Sequence, residues 1–446
     1  MNHLSSERPA KLGILIVGLG GAVATTAVAG IELLKSKAIG TEGLPLAELP
    51  EKLVDDLADY DNIAFGGWDL SDDDLSTAAA THNVLTLQQF QIAAPVLETI
   101  KPFPAVGNIE FCRNVTGQNC LAVESHREAV EIIRQNIRDF RSHHETDRIV
   151  VINLASTEKL VDKNSSALVS LKNFEQALDS NAPEIAPAML YAYAAIAEEV
   201  PYGNFTPSVA ADIPALVEFA EKTGVPLAGK DGKTGQTMMK TALAPALKTR
   251  ALKVVGWYST NILGNRDGLA LSDPDSLKSK ITTKGSVIDD ILGYKVEDHL
   301  VDIRYYKPRG DNKEAWDNID VTGFLGQAMQ IKINFLCKDS ILAAPLVIEI
   351  ARVLDLAKRR GEKGVQKQLS VFFKLPQVAN EATEKPIHAL HQQEAMLLEW
   401  LAESVPKTIV NGHDHEREVA GAVSATVATN GKAPAIAAAA GETAKN

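Results

Sequence analysis

Leu12-Gly13-Ile14-Leu15-Ile16-Val17-Gly18-Leu19-Gly20-Gly21-Ala22-Val23-Ala24 is the stretch whose reading decides the fold. Six apolar residues end at a cluster of glycines, and positions 22–35 that follow have helix-forming content. The natural reading is a buried parallel strand, a tight turn and a helix. That order is the context a dinucleotide fingerprint requires, because a pyrophosphate sits on N–H groups at a helix N-terminus and glycine lets it approach. The third glycine of the fingerprint is replaced by Ala24, and the acid expected about 20 residues further on is missing. Asp69, at the end of a second strand over 62–69, is the better candidate, after an insertion in the first crossover. Positions 12–31 also lack any charge and follow Arg8 and Lys11, so they imitate a secretory signal or a membrane span. Gly18, Gly20, Gly21 and Gly30, with Thr25 and Thr26, make a poor lipid-facing helix.

Outward from this stretch, 128–140 reads as an amphipathic helix through Ala129, Ile132, Ile133, Ile137 and Phe140, and 148–153 as a third buried strand. Helix and strand alternate through the first 230 residues, which indicates an α/β fold with a doubly wound parallel sheet. After Gly229 the texture changes. Positions 252–258, 300–306 and 329–335 alternate apolar with polar residues, as antiparallel strands do when one face is wet. A different subdomain is expected there. Ser340 is a plausible N-cap for a long apolar helix that reaches Arg360 and stops at Gly361, with Lys358, Arg359 and Arg360 at its negative end. From Arg417 the composition is rich in Ala, Val, Thr and Gly without periodicity, the pattern of a disordered tail.

The 446 residues carry 45 basic against 57 acidic side chains, net −12, and chains this long usually divide into two lobes. The acidic balance argues against nucleic acid or an anionic membrane as partner, since both reward a basic surface. Cys112, Cys120 and Cys337 form an odd, widely spaced set, so neither a disulfide framework nor a thiolate zinc site is suggested, and a reducing cytoplasmic setting is expected. The charge is uneven: positions 229–313 hold 15 basic and 10 acidic residues, a basic segment suited to a small anion.

Several groups could carry chemistry. Gly229-Lys230-Asp231-Gly232-Lys233-Thr234-Gly235-Gln236-Thr237 resembles a phosphate cradle without Walker A spacing, and an ordinary exposed loop would look similar. Asn261, Gly264, Asn265, Asp267 and Gly268 follow a strand and precede Lys278, Lys280 and Lys284, which could equally form a solvated face. Lys307 to Lys313 sits at a strand end, and Lys338-Asp339-Ser340 at a helix start. Lys374, between Phe373 and Leu375, is the least explicable as surface decoration, because desolvation lowers a lysine's pKa and suits it to proton transfer. The pairs His143-His144 and His413/His415 lie in polar segments without metal-ligand spacing, and no GxSxG or cysteine–histidine pattern supports nucleophilic hydrolysis.

In this order the segments resemble the myo-inositol-phosphate synthases, NAD-dependent enzymes that cyclise glucose 6-phosphate. The likeness runs from Lys11 to about Gln377. It is carried by the Gly18 to Gly21 turn, Gly67-Trp68-Asp69, Ala155-Ser156-Thr157-Glu158, Glu184-Ile185-Ala186-Pro187, Val200-Pro201-Tyr202, Lys233-Thr234-Gly235-Gln236-Thr237, Leu263 to Gly268, Ser286 to Asp290, Lys307 to Asp311, Asp339 to Pro345 and Phe373-Lys374. The resemblance implies that the 12–31 stretch is the first strand and turn of a Rossmann-like domain (10–235), followed by an inserted α+β catalytic and oligomerisation domain (236–344). The chain then returns to the first domain over 345–416 and ends in a disordered tail over 417–446. It also implies a homotetramer.

The chemistry implied has three stages at one site. NAD+ takes a hydride from C5, the ketone formed allows loss of a C6 proton, and the enolate closes on the C1 aldehyde before the C5 ketone is reduced. Each stage places negative charge on an oxygen, which an ammonium group can stabilise and protonate. By match to the family, Lys280, Lys313 and Lys374 are the catalytic lysines, oriented by Asp339. Gly18, Gly20, Gly21, Ala22, Val23, Asp69, Ala155, Ser156, Thr157, Asp231, Thr234 and Asp311 are expected at the cofactor. Lys284 would hold the phosphate, with Asn261, Asn265, Asp267 and Lys233 also facing the substrate. Some positions depart from familiar eukaryotic members, which carry an asparagine pair and a glycine where this chain has Ala22, Val23 and Ala24. Lys230 stands in place of an acid, and Arg266 where a neutral residue is common. A monovalent or divalent cation beside NAD is left open, as are a non-catalytic NAD-binding homologue and a cyclase or dehydrogenase for another sugar phosphate.

Overall fold

The computed structural model describes residues 10–113, 115–264, 268 and 287–403. Lys280, Lys284, Asn265 and Asp267 lie outside the described residues, as does the 417–446 tail.

The first apolar run is strand β1, Leu12–Val17, buried at all six positions. Successive side chains of a strand point to opposite faces, and here Leu12, Ile14 and Ile16 join one core while Leu15 and Val17 join another. Gly13 shares the second face, where a Cβ would meet the Phe140 ring at 2.6 Å, so the missing side chain is what lets that ring pack on the sheet. β1 pairs in parallel with β2, Ile63–Asp69, on one side and with β4, Arg148–Asn153, on the other. Short strands β3 (Phe103–Pro104), β5 (Tyr202–Asn204), β6 (Pro226–Gly229) and β11 (Gly364–Val365) complete a seven-stranded sheet in the order β11-β6-β5-β4-β1-β2-β3. Each adjacent pair is parallel.

Helices Ala22–Lys35 and Asp339–Arg359 cover one face. Helices His126–His144, Leu171–Asp179, Pro187–Ala197 and Pro214–Thr223 cover the other. This is the doubly wound architecture expected, and the strand order reverses at β1. A crevice therefore opens beyond the carboxyl ends of β1 and β4, where ligands bind in such sheets.

A second sheet comprises β7 (Lys253–Leu263), β8 (Asp298–Tyr305), β9 (Asn312–Thr322) and β10 (Ala328–Lys338), in the order β10-β9-β7-β8. The expected antiparallel arrangement holds for β9 with β7 and β10, but β7 and β8 run parallel. A connection of more than 30 residues separates those two strands, ample for a crossover. β9 escapes a search for apolar alternation because two of its inward positions are Lys313 and Asp317, beside Ala315, Ile319 and Val321. One face of the sheet packs through Trp257, Ile319 and Val321 on helix Gln236–Thr249 and on Val287, Ile288 and Ile291.

β10 passes without a loop into helix Asp339–Arg359, whose N-cap is Lys338 rather than Ser340. The capping acceptor comes from outside the helix: Asp311 accepts from the Ser340 N–H at 3.2 Å and from its hydroxyl at 2.6 Å. The helix runs unbroken through 344/345, the division expected between the second domain and the return to the first. Its end matches expectation, with Gly361 at φ +74° and Lys358 and Arg359 in the last turn.

Gly67 tests the tightness of the β1–β2 pair, because its φ is +147° and a Cβ would lie 1.9 Å from the Ile16 carbonyl oxygen. Gly67→Ala is expected to cost at least about 3 kcal/mol in urea unfolding. Gly30→Ala, where an added Cβ meets nothing within 4 Å, should instead stabilise by about 0.5–1 kcal/mol. Equal midpoints for the two variants would refute this account of Gly67.

Candidate active site

A cavity of about 450 Å³ occupies the crevice at the carboxyl ends of the parallel strands. Its first wall is the turn after β1. Gly18 adopts φ +87°, a conformation glycine takes without strain, and a Cβ there would press on the Ala155 backbone at 3.1 Å. Gly21 caps helix Ala22–Lys35 without a side-chain acceptor, and Ala22, Val23 and Ala24 border the cavity. The amides of a helix's first turn have no partner within the helix, which makes this end a seat for an anion. Asp69 ends β2 beside the turn, accepting from the Gly20 N–H at 2.8 Å and from Ser71 N–H at 3.0 Å. His82 grips the same glycine from its other side, with Nε2 2.7 Å from the Gly20 carbonyl oxygen. The second wall is the loop after β4, comprising Ala155, Ser156, Thr157 and Glu158, where the Ala155 N–H donates to the Asn153 side chain at 3.1 Å.

The third wall is the loop after β6. Its backbone is laced to the segment bearing Lys374: Lys230 N–H donates to the Leu375 carbonyl, Lys233 N–H to Phe372, and Lys374 N–H to Asp231. Two lysines reach the cavity here, both buried. Lys374 Nζ donates to Asp231 Oδ1 at 2.6 Å. Lys313 Nζ, from β9, donates to Asp339 Oδ1 at 3.1 Å, and the Thr234 hydroxyl donates to the same oxygen at 3.1 Å.

Of the residues expected at the site, Gly18, Gly21, Ala22, Val23, Asp69, Ala155, Ser156, Thr157, Asp231, Thr234, Lys313, Asp339 and Lys374 border this one cavity. Four others do not. Gly20 faces Asp69, and Asp311 serves as the helix cap described above. Asn261, on β7, donates to Gln236. Lys233 turns away from the cavity to donate to Gln393 of helix Leu390–Ala402.

Sequence inspection missed His82, Glu158 as a wall residue, and the cluster behind the third wall. In that cluster Asp212 lies 2.7 Å from both Lys230 and Lys163. Burial alone would raise the Asp212 carboxyl, but the two ammonium groups outweigh it and hold it well below the usual carboxylate range. Lys230 is thus accommodated by an acid 18 positions earlier, a pairing that no spacing reveals. Among the described residues, no group of three or more His, Cys, Asp or Glu could hold a metal ion. No described helix is long and apolar enough to cross a membrane.

A glycine turn at a helix N-terminus, an acid at the end of the neighbouring strand and a cavity along the switch point fit a dinucleotide. The paired lysines fit a reaction that builds oxyanions beside it.

Burial pushes the Lys233 amine down to about 7. Between pH 7 and 10.5 the unfolded chain therefore holds a proton that the folded amine has released, so this group's contribution to stability declines as pH falls through that window. Lys233→Met removes the effect. The variant's urea midpoint relative to the wild type should become more favourable as pH is lowered from 9.5 to 7. A difference that stays constant would refute it.

The family model described as myo-inositol-1-phosphate synthase matches residues 46–402. The chain is 43% identical to inositol-3-phosphate synthase 1 of Bacteroides thetaiotaomicron, with 88% of this chain and 95% of that protein covered. Identity to inositol-3-phosphate synthase isozyme 1 of Arabidopsis thaliana is 29%, over 87% and 84% of the two chains. Among solved structures, inositol-3-phosphate synthase of Caenorhabditis elegans superposes with a TM-score of 0.81 at 27% identity, over 88% of this chain and 86% of that one. A myo-inositol-1-phosphate synthase-related protein of Thermotoga maritima gives 0.71 at 27% identity, over 88% and 98%.

Proposed function

The chain belongs to the myo-inositol-1-phosphate synthase family, and from that premise we propose that it isomerises D-glucose 6-phosphate to 1D-myo-inositol 3-phosphate with NAD as a regenerated cofactor. The observation that carries this reading is that the Lys313–Asp339–Thr234 and Lys374–Asp231 clusters border the same cavity as the glycine turn.

The cofactor lies along the first two walls in this reading. The N-terminus of helix Ala22–Lys35 receives the pyrophosphate, and Asp69 receives the adenosine ribose. When bound, NAD supplies reversible hydride exchange at C5 of the sugar. The chain's own work is electrostatic and acid–base. Lys313 and Lys374 stabilise and protonate the oxygens at C5 and C1 as charge develops there. Asp339 and Asp231 hold the two ammonium groups in place, and the Thr234 hydroxyl donates to the same Asp339 oxygen that Lys313 meets. Lys313 and Lys374 are both buried, so their charges act at a lower effective dielectric than in water. By match to the family, Lys280 is the third catalytic lysine, Lys284 the phosphate ligand, and Asn265 and Asp267 substrate residues. Asn261 and Lys233 support this centre through Gln236 and Gln393 in place of direct substrate contact.

We further propose a cytoplasmic homotetramer. The open face of the second sheet exposes Leu300 and Leu336, and the adjoining hairpin exposes Phe324 and Leu325. An apolar surface of this kind is suited to association.

Purified protein given NAD+ and glucose 6-phosphate is expected to release inositol phosphate, identified by NMR, without net NADH. Steady NADH accumulation would replace this reading with a simple dehydrogenase. Lys313→Ala should abolish turnover, by about 10³-fold or more, while NAD binding persists. Unchanged activity would remove Lys313 from the catalytic group.

A further inference from the structure

Glu158 ends the loop after β4 and is 6% exposed. Its Oε1 accepts the Ala188 N–H at 3.0 Å, at the first turn of helix Pro187–Ala197, and its own N–H donates to the Ser208 hydroxyl at 3.0 Å. Oε2 is enclosed and meets no hydrogen-bond partner among the described residues. The neighbours that respond to its charge are Tyr191, from the same helix, and Tyr202, from β5. Asp69 and Cys120 act in turn on Tyr191, and Asp212 on Tyr202. No cation among the described residues offsets a charge on Glu158.

Each of the three segments that this residue joins contributes to the cavity. The loop supplies Ala155 to Glu158, the helix Pro187, Ala188 and Tyr191, and the turn before Ser208 supplies Thr206 and Pro207. We propose that Glu158 is a positioning residue of the cofactor cavity, its carboxyl group clasping Ala188 so that loop, helix and turn form one continuous wall. The proposal rests on the reading of this cavity as the NAD site.

The chemistry of the clasp follows from its surroundings. An unpaired carboxylate in an enclosed site is costly, whereas the neutral acid accepts the Ala188 N–H through one oxygen and carries its proton on the other. Burial raises the Glu158 carboxyl to about 8, against the smaller opposing effect of the Ala188 N–H. Below that pH the clasp is neutral and closed. Above it an uncompensated anion sits inside the wall. Tyr191 and Tyr202 are themselves pushed above their ordinary range by burial, so they stay neutral throughout this window. The sign for stability follows: from about pH 5 to 8 the folded chain keeps a proton that the unfolded chain releases, so this group's contribution declines as pH rises.

The test measures NAD dissociation constants by fluorescence titration of the full-length protein from pH 6 to 9.5, with thermal midpoints in parallel. In the wild type, NAD affinity should weaken as pH passes about 8. Glu158→Gln keeps a carbonyl for Ala188 and cannot ionise, so it should match the wild type at pH 6.5 and lose the part of the alkaline weakening that Glu158 causes. Its thermal midpoint should gain on the wild type from pH 5 to 8. Glu158→Ala should bind NAD about tenfold more weakly at every pH, the cost of an orphaned buried donor. Alkaline weakening of equal size in wild type and Glu158→Gln, or undiminished NAD affinity in Glu158→Ala, would overturn the role of Glu158 alone. If Glu158→Ala does not fold, the Gln comparison decides by itself. Absence of NAD binding by the wild type at any pH would overturn the cavity reading and the proposal together.

Discussion

The buried pair between Lys374 and Asp231 is the contact on which the rest of the cavity depends. An ammonium group inside a protein is costly unless an anion and further hydrogen bonds meet it, and breaking one partner of such a pair is worth about 3–5 kcal/mol. Here the pair also joins distant parts of the chain: Asp231 follows β6 of the parallel sheet, and Lys374 returns after the second sheet and the long helix have been built. Main-chain bonds from Lys230, Lys233 and Lys374 bind the two segments along their length. The same loop reaches Asp339 through Thr234, and Asp339 holds Lys313. One short loop thereby sets the relation of both lysines to each other and to the glycine turn.

Charge follows the same plan at larger scale. The chain is acidic overall, but Asp231, Thr234 and Lys313 of its basic segment border the cavity at the switch point of the sheet, where the helix N-terminus already favours an anion. Asp231 and Asp339, the acids beside the two cavity lysines, are each engaged with one of them, and Asp212 with Lys230. They place cations and leave little free negative charge to oppose a phosphate. The net charge of −12 is a statement about the outer surface and its preference against polyanions. The cavity is governed by the residues brought into it.

Departures from familiar family members are absorbed by packing. Ala22, Val23 and Ala24 place small apolar side chains where amides are common, while the backbone N–H groups of the helix end remain. Asp69 and His82 brace the Gly20 peptides from two sides, so the turn's geometry does not require those amides. Lys230 replaces an acid, but Asp212 and Lys163 complete a buried cluster around it.

The first strand, turn and helix were legible because periodicity and glycine content are local, and helix Ala22–Lys35 and strand Arg148–Asn153 fall at the positions read from the sequence. The doubly wound class followed from alternation alone, and the ordered motifs carried the family. Strand β9 was hidden because Lys313 and Asp317 occupy inward positions that a pattern search expects to be apolar. The parallel pairing of β7 with β8 depends on a connection whose path no periodicity specifies. Which lysines enter the cavity was likewise beyond local reading. Lys233 and Lys313 both stand in charged, motif-like stretches, yet one faces Gln393 and the other Asp339. Sequence by itself determined the elements of the first sheet's core, the fold class and the family, since those rest on local propensity and order. Tertiary structure alone decided which charged groups meet at the cavity, because desolvation makes a buried ion depend on a partner, and the chain supplies the partners of Lys230, Lys313 and Lys374 from positions 18, 26 and 143 residues away.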